Sequence, residues 1–382
     1  MKIEDIKEIT VIGSGDMGHG IAEVCIINGF QVKINDIELE LLEKAKKRIK
    51  NSLNKLVSKN KLSNEKVENS IKRLKLELGL KEAVKDSQLV IEAIPEILSL
   101  KKEIFAKIDS YLPKEGIIAS NTSNMSITEL AKNTERPDKV IGLHFFNPVI
   151  LKRTVEVIRG EKTSDETFHM MKEFVKSIKK LPIGVKKDTP GFIVNRVMAP
   201  VNILIGKILE KNLEEPGRVD MALKSRGMAM GAFELADYVG LDVMYHSMKY
   251  FEKTLSPEYK PPNWLKQKIE KNELGKKTGN GIYNWSKGRP DLSKYEPSNK
   301  IEIQDLIALQ VNEATKLLDE GVIDKPRMID KAIINGTGNP AGVIKLAKGL
   351  GLDEMVKRCE KLSSKYNINV FEPTKRLKNG NI

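Results

Sequence analysis

Cysteine is scarce in this chain, with only Cys25 and Cys359 among 382 residues. Both lie in stretches with a helical pattern and lack the spacing of metal ligands, which argues against a disulfide scaffold or a zinc site. No apolar run reaches the roughly 20 residues that span a bilayer. The longest candidate, residues 197–209, is interrupted by a proline and by polar side chains. We therefore expect no metal site and no membrane insertion.

Residues 1–5 lack the apolar core of a signal peptide, and their acidic side chains argue against a transit peptide. Together with the low cysteine content, this predicts a cytoplasmic protein. The length, with 40% hydrophobic and 31% charged residues, is sufficient for two or three globular domains. The 65 basic residues outnumber the 52 acidic ones. This excess favours anionic partners without distinguishing nucleic acid, lipid or a phosphorylated small molecule.

Short apolar, β-branched segments alternate with helical or polar stretches as far as about residue 185. This alternation predicts a Rossmann-type α/β domain over residues 1–187, with a doubly wound, mainly parallel sheet. A long helical pattern over residues 38–77 is predicted to form a basic hairpin that projects from the sheet. The predicted strands are Glu8–Gly13, Gln31–Asp36, Gln88–Ile94, Gly116–Ser120, Val140–Phe145, Thr154–Ile158 and Leu181–Val185.

Beyond residue 190 the pattern is helical to the end of the chain and contains an internal repeat. Asn202–Asp220 aligns without gaps on Asn312–Asp330, and a glycine-rich turn and a Gly-Leu-Asp follow each segment. We therefore predict an all-α region made of a first helical domain over 188–290 and a second, degenerate repeat over 300–382. The second repeat is interpreted as a packing partner and not as a second active site.

A glycine-rich turn follows the first predicted strand. Gly13, Gly15 and Gly18 have the G-x-G-x-x-G spacing, which permits a tight turn, close approach of a pyrophosphate, and close packing of helix on strand. Asp36 ends the next strand, at about the 20-residue distance expected of an acid that binds a ribose. It would accept a hydrogen bond from the 2′-hydroxyl and repel a 2′-phosphate. This predicts NAD in preference to NADP, although nearby Lys33 leaves the degree of preference open.

A second group of polar residues lies at the ends of later strands. His144, one of four histidines, ends a predicted strand at the edge where doubly wound folds bind ligands. Glu156 lies in the following strand, from which a carboxylate can fix the tautomer of the imidazole and stabilise the imidazolium. On spacing alone, a general base and a buried structural His–Glu pair explain this pattern equally well.

Together, the ordered motifs resemble the 3-hydroxyacyl-CoA dehydrogenase family over nearly the whole chain. The resemblance implies oxidation of (S)-3-hydroxyacyl-CoA to 3-ketoacyl-CoA with NAD, and the reverse, with 3-hydroxybutyryl-CoA and acetoacetyl-CoA as expected short-chain substrates. A dehydrogenase of a free hydroxy or sugar acid and a non-catalytic nucleotide-binding protein stay open as alternatives. The motifs are the glycine turn, Val90–Glu96, Ser120–Ser123, His144–Pro148, Val155–Val157, Gly191–Arg196, Gly231–Asp242 and Gly275–Gly279.

The resemblance also implies roles for individual residues. His144 matches the general base and Glu156 the carboxylate that orients it, while Ser123 and Asn195 match residues that bind the hydroxyl or keto oxygen of the substrate. From the residues alone, Ser123 as a helix cap and Asn195 as a partner of its own helix backbone are alternatives. The implied cofactor contacts are Gly13, Gly15, Asp16, Met17, Gly18, Asp36, Glu96, Lys101, Asn121, Ser123, Asn147 and Lys277.

Residues 44–61 contain eight basic side chains and no acidic one. Such a run is usually a solvated helix face. The resemblance implies in addition that Ser52 and Lys59 bind the nucleotide end of coenzyme A, and Ser123 the thioester end. Nucleic-acid binding is not expected, because the run has no recognised motif and no neighbouring aromatic platform.

The doubled helical region resembles the tails of multifunctional fatty-acid oxidation proteins. Short family members bury their single helical domain against a second subunit. A second repeat in the same chain is predicted to cover that surface and to give a monomer that is an internal pseudo-dimer. A homodimer through another surface, the acyl chain length and the direction of the reaction stay open.

Overall fold

An eight-stranded sheet organises the amino-terminal part of the chain in this computed structural model, which describes residues 2–382. Neighbouring strands are parallel except β6 and β7, and the order is 3-2-1-4-5-6-7-8. The predicted doubly wound α/β fold is therefore confirmed. The strands are β1 (Glu8–Ile12), β2 (Gln31–Asn35), β3 (Leu74–Glu77), β4 (Leu89–Glu92), β5 (Ile117–Ser120), β6 (Val140–Phe145), β7 (Thr154–Arg159) and β8 (Leu181–Val185).

This sheet belongs to the first of two compact units, which comprises the chain up to Phe192 together with Ile334–Gly338. All four residues of β4 and of β5 are buried, as expected of central parallel strands covered by helices on both faces. The helices of this part are α1 (Asp16–Ile27), α2 (Leu39–Ser58), α3 (Asn64–Ile71), α4 (Leu80–Val84), α5 (Leu98–Tyr111), α6 (Ile127–Ala131) and α7 (Asp165–Ser177).

Two features of residues 38–77 differ from the prediction. Leu74–Glu77 is not helical but forms the edge strand β3, which pairs with β2. Its two leucines alternate with charged residues, and four residues are too few to distinguish this pattern from the helical one before it. The helical hairpin also does not project from the sheet, because the apolar side of α2 is buried in the core of the unit. That side consists of Leu42, Ala45, Ile49 and Leu53.

The second unit comprises Ile193–Ile333 and Asn339–Ile382. As predicted, this half of the chain is helical. Its helices and the last helices of the chain are α8 (Val194–Glu210), α9 (Pro216–Lys224), α10 (Ala232–Val239), α11 (Leu241–Thr254), α12 (Asn263–Glu270), α13 (Ile303–Asp319), α14 (Pro326–Thr337), α15 (Val343–Leu350), α16 (Leu352–Tyr366) and α17 (Lys375–Lys378).

Both copies of the repeat have the same local construction. In each, an aspartate accepts hydrogen bonds from two backbone N–H groups at the start of a helix, and a glycine with positive φ joins that helix to the next. These residues are Asp220 and Gly240 in the first copy and Asp330 and Gly351 in the second. The loop after α8 covers residues 211–215 and the loop after α13 covers 320–325. The second loop is one residue longer, so the ungapped alignment misplaces the first helix of the repeat by one position.

The two copies share one hydrophobic core within the second unit. Helix α13 is buried on most of its sides. Leu306 and Leu309 of this helix belong to the same core cluster as Leu204 and Ile208 of α8. A predicted boundary near residue 300 therefore does not separate two independent cores.

None of the helices within residues 2–382 combines the length and the apolar character that crossing a membrane requires.

Candidate active site

The turn between β1 and α1 needs glycine at two positions. Gly13 has φ of +95°, and a Cβ atom there would lie 2.6 Å from the carbonyl oxygen of Ala93. A Cβ atom on Gly18 would lie 1.8 Å from the carbonyl oxygen of Gly13. Gly15, the residue before α1, has open space instead, because a Cβ atom there would meet nothing within 4 Å. An open helix amino terminus of this kind fits the pyrophosphate of a dinucleotide.

Asp36 follows β2 and binds the same turn. Its Oδ2 accepts hydrogen bonds from the backbone nitrogen of Ser14 at 2.7 Å and from the Ser14 hydroxyl at 2.6 Å. Lys33 lies on the same strand, but its Nζ pairs with Glu8 and Asp86 at the amino ends of the strands. Lys33 therefore supplies no positive charge beside Asp36. The Asp36 carboxylate would repel a 2′-phosphate, and this lysine does not neutralise that repulsion.

Asp16 and Met17 occupy the first turn of α1. The Asp16 carboxylate is 2.6 Å from the Arg48 guanidinium of α2. This ion pair joins the glycine turn to the basic helix and offsets a negative charge that would otherwise repel a phosphate. Met17 is partly buried and packs on the hydrophobic core of the unit.

His144 and Glu156 face each other across the only antiparallel strand pair of the described sheet, β6 and β7. His144 Nδ1 lies 2.6 Å from Glu156 Oε2. Glu156 is fully buried and His144 nearly so. The rings of Phe146 and Phe192 pack against the imidazole, with centroids 4.4 and 5.9 Å away. Because Nδ1 is engaged with the carboxylate, Nε2 is the nitrogen that can exchange a proton with a ligand.

The loop after β5 lies beside the end of β6, because Asn121 Oδ1 accepts a hydrogen bond of 3.0 Å from the backbone nitrogen of Phe145. Two residues later, Ser123 donates to Glu96 Oε1 from its backbone nitrogen at 2.8 Å and from its hydroxyl at 3.3 Å. The side chain that caps α6 is Ser126, so the interpretation of Ser123 as a helix cap is wrong. Asn147 follows β6 in the chain and is exposed. It forms a cis peptide bond with the following proline.

Lys101, in the first turn of α5, lies between two carboxylates. Its Nζ is 2.5 Å from Glu92 Oε1 and 3.2 Å from Glu96 Oε2, and it also donates to the carbonyl oxygen of Ile94 at 3.1 Å. Only 1% of the lysine side chain and none of the Glu92 side chain is exposed. We call these three side chains, Glu92, Lys101 and Glu96, the charged triad.

Glu92 is a member of the triad that sequence reasoning did not assign. It ends β4 within an apolar run, which was a usable signal because a carboxylate there is buried and requires partners. It accepts hydrogen bonds from the Ser120 hydroxyl at 2.7 Å and from the Ile94 backbone nitrogen at 2.8 Å. The triad therefore links the ends of β4 and β5 to the start of α5.

The pKa of Glu96 lies below its ordinary value. Burial alone would raise this pKa, but the charge of Lys101 and hydrogen bonds from Ser123 and Thr122 outweigh it. Glu96 is consequently an ionised acceptor at neutral pH, directed at the loop that carries Ser123.

Ser52 and Lys59 lie two turns apart on one side of α2. The Ser52 side chain forms a hydrogen bond with Glu23 of α1. Burial raises the pKa of Glu23 to about 7, although the Ser52 hydrogen bond and the charge of Lys180 lower it. Lys59 ends the helix and is exposed. Ser52 and Lys59 therefore both lie on the surface of α2, where they can reach a ligand.

Two predicted site residues belong to the second unit. Asn195 lies in the first turn of α8. Lys277 lies in the short 3-10 helix Lys276–Thr278, and its Nζ is 2.5 Å from the Asp242 carboxylate. Within residues 2–382, no group of three or more histidine, cysteine, aspartate or glutamate side chains is arranged to hold a metal ion.

Comparison with protein families gives matches over most of the chain. The family model described as "3-hydroxyacyl-CoA dehydrogenase, NAD binding domain" matches residues 8–189. The model described as "3-hydroxyacyl-CoA dehydrogenase, C-terminal domain" matches residues 191–285 and 303–379. The two segments of the second match correspond to the two helical copies.

Individual relatives and structures are similar. The mitochondrial hydroxyacyl-coenzyme A dehydrogenase of Mus musculus is 39% identical over 292 residues, covering 73% of this chain and 91% of that protein. The 3-hydroxybutyryl-CoA dehydrogenase of Bradyrhizobium diazoefficiens is 38% identical over 290 residues, covering 75% and 97%. The crystal structure of 3-hydroxybutyryl-CoA dehydrogenase from Escherichia coli superposes with a TM-score of 0.90 at 28% identity, covering 98% of each chain.

Proposed function

Because the chain belongs to the 3-hydroxyacyl-CoA dehydrogenase family, whose members are NAD-dependent oxidoreductases, we propose that it interconverts (S)-3-hydroxybutyryl-CoA and acetoacetyl-CoA. The observation that carries the proposal is the buried contact of 2.6 Å between His144 and Glu156. It lies at the edge of the sheet where the loop of Ser123 meets β6. A histidine held in this way has a defined tautomer and a counter-ion for its protonated form.

In the oxidative direction, His144 Nε2 removes the proton of the 3-hydroxyl group. The imidazolium that forms is stabilised by the Glu156 carboxylate, which is fully buried and therefore poorly screened by water. In the reductive direction the same nitrogen returns the proton to the keto oxygen. NAD, when bound, supplies the acceptor or donor of the hydride at C3 of the substrate.

Ser123 and Asn195 are proposed to bind the substrate oxygen on which charge develops. Hydrogen-bond donors directed at such an oxygen stabilise the transition state more than the ground state. Glu96 supports this role by holding the loop, since it accepts a hydrogen bond of 2.8 Å from the backbone nitrogen of Ser123. The Ser123 hydroxyl has one O–H donor, which would turn from its longer contact with Glu96, at 3.3 Å, to the substrate oxygen.

The cofactor is proposed to bind over the glycine turn, with Asp36 at the adenosine ribose. The open space at Gly15 and the exposed helix start support the position of the pyrophosphate. We also propose contacts from the remaining residues that the family resemblance implies. These are Gly13, Asp16, Met17, Gly18, Glu96, Lys101, Asn121, Ser123, Asn147 and Lys277.

The nucleotide end of coenzyme A is proposed to bind along α2 through Ser52 and Lys59. The excess of basic side chains on this helix supports the proposal, because the 3′-phosphate and the pyrophosphate of coenzyme A are anionic. A dehydrogenase of free hydroxy acids would have no use for this surface, which is the reason that we prefer the thioester.

The function is tested by following NADH absorbance with acetoacetyl-CoA, longer 3-ketoacyl-CoA esters and free acetoacetate. Wild type should turn over the thioesters, with a preference for the short one, and leave free acetoacetate unchanged. His144→Ala should lower kcat by about 10²- to 10⁴-fold. The matched control is His169→Ala, since His169 is exposed on α7 and its Nδ1 contacts only the backbone carbonyl of Asp165 among the described hydrogen bonds. Equal activity of the two variants would refute the role of His144, and turnover of free acetoacetate would favour the alternative enzyme class.

We further propose a division of the chain into a cofactor domain, a first helical domain and a second repeat, at 1–187, 188–290 and 300–382. In this proposal, the second repeat replaces a dimer contact and makes the chain a monomeric pseudo-dimer. The shared core of α8 and α13 supports it, because the face of α8 toward α13 is covered within one chain. Sedimentation equilibrium of the full chain should give a mass near 42.9 kDa. A variant without residues 300–382 that stays a stable monomer would count against the replacement of the dimer contact, whereas a dimer of the full chain would have to form through another surface.

A further inference from the structure

The carboxyl end of α14 packs within the first compact unit, although this helix lies in the second repeat. Ile334–Gly338 belong to the first unit, whereas the preceding part of α14 belongs to the second. Gly336 is buried, and a Cβ atom on it would lie 3.4 Å from Cε1 and Cζ of the Phe146 ring. Because glycine has no side chain, the backbone of the helix itself lies against this ring. The second repeat therefore contacts the aromatic side chain that packs on His144.

Two hydrogen bonds fix this helix end to the turn after β6. Lys152 Nζ donates to the carbonyl oxygen of Thr337 at 2.6 Å, and the backbone nitrogen of Arg153 donates to the carbonyl oxygen of Asn335 at 3.2 Å. The last carbonyls of a helix have no partner within it and carry partial negative charge, so a lysine is favourable there. Gly338 follows the helix with φ of +87°, and a Cβ atom there would lie 2.8 Å from Lys152 Nζ. This position needs glycine both for its backbone conformation and for the space that the lysine occupies.

The turn that receives these bonds, residues 146–153, connects the two strands of the proposed catalytic pair. His144 lies on β6 and Glu156 on β7, as partners in the strand register. The turn is also held from the sheet, because Lys180 Nζ donates to the carbonyl oxygen of Lys152 at 2.7 Å. The turn is thus fixed on one side by the residue before β8 and on the other by the end of α14.

The orientation of the His144 ring depends on more than its carboxylate partner. Glu156 binds only Nδ1, and a single hydrogen bond permits the imidazole to tilt about it. The rings of Phe146 and Phe192 limit this tilt from their positions 4.4 and 5.9 Å away. Phe192 is fully buried, but Phe146 is only half-buried. The position of the Phe146 ring therefore depends on its contact with Gly336.

We propose that the last turn of α14 is a positioning element of the active site, in which Gly336 keeps the Phe146 ring against His144. This inference rests on the proposed function, in which His144 exchanges the proton of the substrate. The second repeat then supports catalysis in the first unit, in addition to covering a surface of the first helical copy. A misplacement of about 1 Å can lower the rate by about 10²-fold, so a small displacement of the ring is sufficient for a measurable effect.

Variants of graded size at Gly336 test this contact. Gly336→Ala adds one atom at an ordinary contact distance from the ring and should behave as wild type. Gly336→Leu adds atoms beyond that distance and should displace Phe146, which should lower kcat for acetoacetyl-CoA reduction by about 10²-fold. The matched control is Gly349→Leu, since this glycine lies in α15 of the same repeat and a Cβ atom on it would meet nothing within 4 Å. The control should keep the kcat of wild type.

A signal from His144 itself separates positioning from a general loss of structure. An aromatic ring shifts the NMR resonances of protons close to it, and Phe146 lies near enough to act on the carbon-bound protons of His144. In carbon-13 correlation spectra of histidine-labelled protein, His144 is identified among the four histidines by its absence in His144→Gln. Its signal should move in Gly336→Leu toward its position in Phe146→Leu. The signals of the other three histidines should stay unchanged.

Lys152→Met provides a second test that adds no atoms at the Phe146 contact. It removes the donor to the Thr337 carbonyl, so the helix end is held less firmly and the His144 signal should move in the same direction by a smaller amount. Lys139→Met is the matched control. Lys139 also donates to a backbone carbonyl, that of Lys114 at 3.0 Å, but it lies before the amino end of β6. Its replacement should leave the His144 signal unchanged.

Two results would overturn the inference. An unchanged His144 signal in both Gly336→Leu and Lys152→Met would show that the helix end packs on the turn without positioning the imidazole. A displaced signal in Gly336→Leu with the kcat of Gly349→Leu would show that turnover does not depend on the orientation that Phe146 imposes. Absence of turnover in wild type would refute the proposed function alone, and the NMR comparison would still decide whether α14 positions His144.

Discussion

Replacing Glu313 by alanine tests how firmly the two helical copies are joined. Arg196, in the first turn of α8, has only 6% of its side chain exposed. Its Nε donates to Glu313 Oε1, and its terminal nitrogens donate to Glu320 at 2.8 and 3.3 Å. A cation at the start of a helix is unfavourable because the helix amino terminus carries partial positive charge. The two glutamates, from α13 and the residue after it, therefore compensate for both the burial and the position of Arg196.

The expected loss can be estimated from these contacts. Removing one partner of a buried ion pair costs about 3–5 kcal/mol, because the other charge remains buried without compensation. Glu320 is 42% exposed and still pairs with Arg196 in the variant. We therefore expect the lower value, about 3 kcal/mol. In a unit of this size, that loss lowers the midpoint of thermal unfolding by about 6–12 °C.

Urea denaturation followed by circular dichroism, together with differential scanning calorimetry, measures this loss in the full chain. The control is Glu354→Ala, which removes a half-exposed carboxylate 2.7 Å from Arg358 within the second repeat. That variant should lose no more than about 1 kcal/mol, as partly solvated ion pairs do. If Glu313→Ala were as stable as Glu354→Ala, the ion cluster would not join the two copies and the reasoning would be refuted.

Three further predictions concern the first unit. Glu156→Gln should keep the fold but lower kcat for acetoacetyl-CoA reduction by about 10²-fold or more, and an unchanged kcat would mean that His144 does not need a charged partner. Asp36→Ala should lower the ratio of kcat/KM for NADH to kcat/KM for NADPH by at least about tenfold, since repulsion of the 2′-phosphate is lost. An unchanged ratio would mean that Asp36 does not discriminate between the two cofactors. Burial raises the pKa of Glu23 from 4.5 to about 7, so the folded chain holds a proton there that the unfolded chain releases. The stability contributed by this group falls as pH rises through that interval, and Glu23→Gln should stabilise the chain by about 2–3 kcal/mol at pH 8 and by little at pH 4.5. Equal unfolding free energies of the two proteins at pH 8 would contradict this expectation.

Local patterns of apolar residues in the sequence were sufficient to predict most strands of the sheet. Seven of the eight strands were predicted close to their observed bounds, because each is a run of apolar, β-branched residues with a clear boundary. The exception, Leu74–Glu77, lies at the edge of the sheet, where three of its residues are half-buried, one is exposed and charged residues are tolerated. Its pattern resembled the helical segment before it, and only pairing with β2 distinguishes the two.

The residues of the candidate site were also predicted only in part from the sequence. His144 and Glu156 could be singled out because they end or lie within predicted strands, and the strand register then places them opposite each other. Glu92 was overlooked, since a single acidic residue in an apolar run does not reveal its partners. Asn195 and Lys277 were selected through motifs of the family, and their roles stay predictions.

The amino-acid sequence by itself determined the α/β class, the glycine turn with its acidic residue, the helical repeat and the identity of a histidine with a nearby carboxylate. These features depend on periodicity and on spacing within a few tens of residues, which a linear pattern preserves. Only the tertiary structure decided that Lys101 is enclosed beside the buried carboxylate of Glu92 and that Arg196 is compensated by glutamates more than a hundred residues away. The reason is physical: the cost of burying a charge depends on which groups the packed chain brings within about 3 Å of it, and that depends on strand register and helix packing.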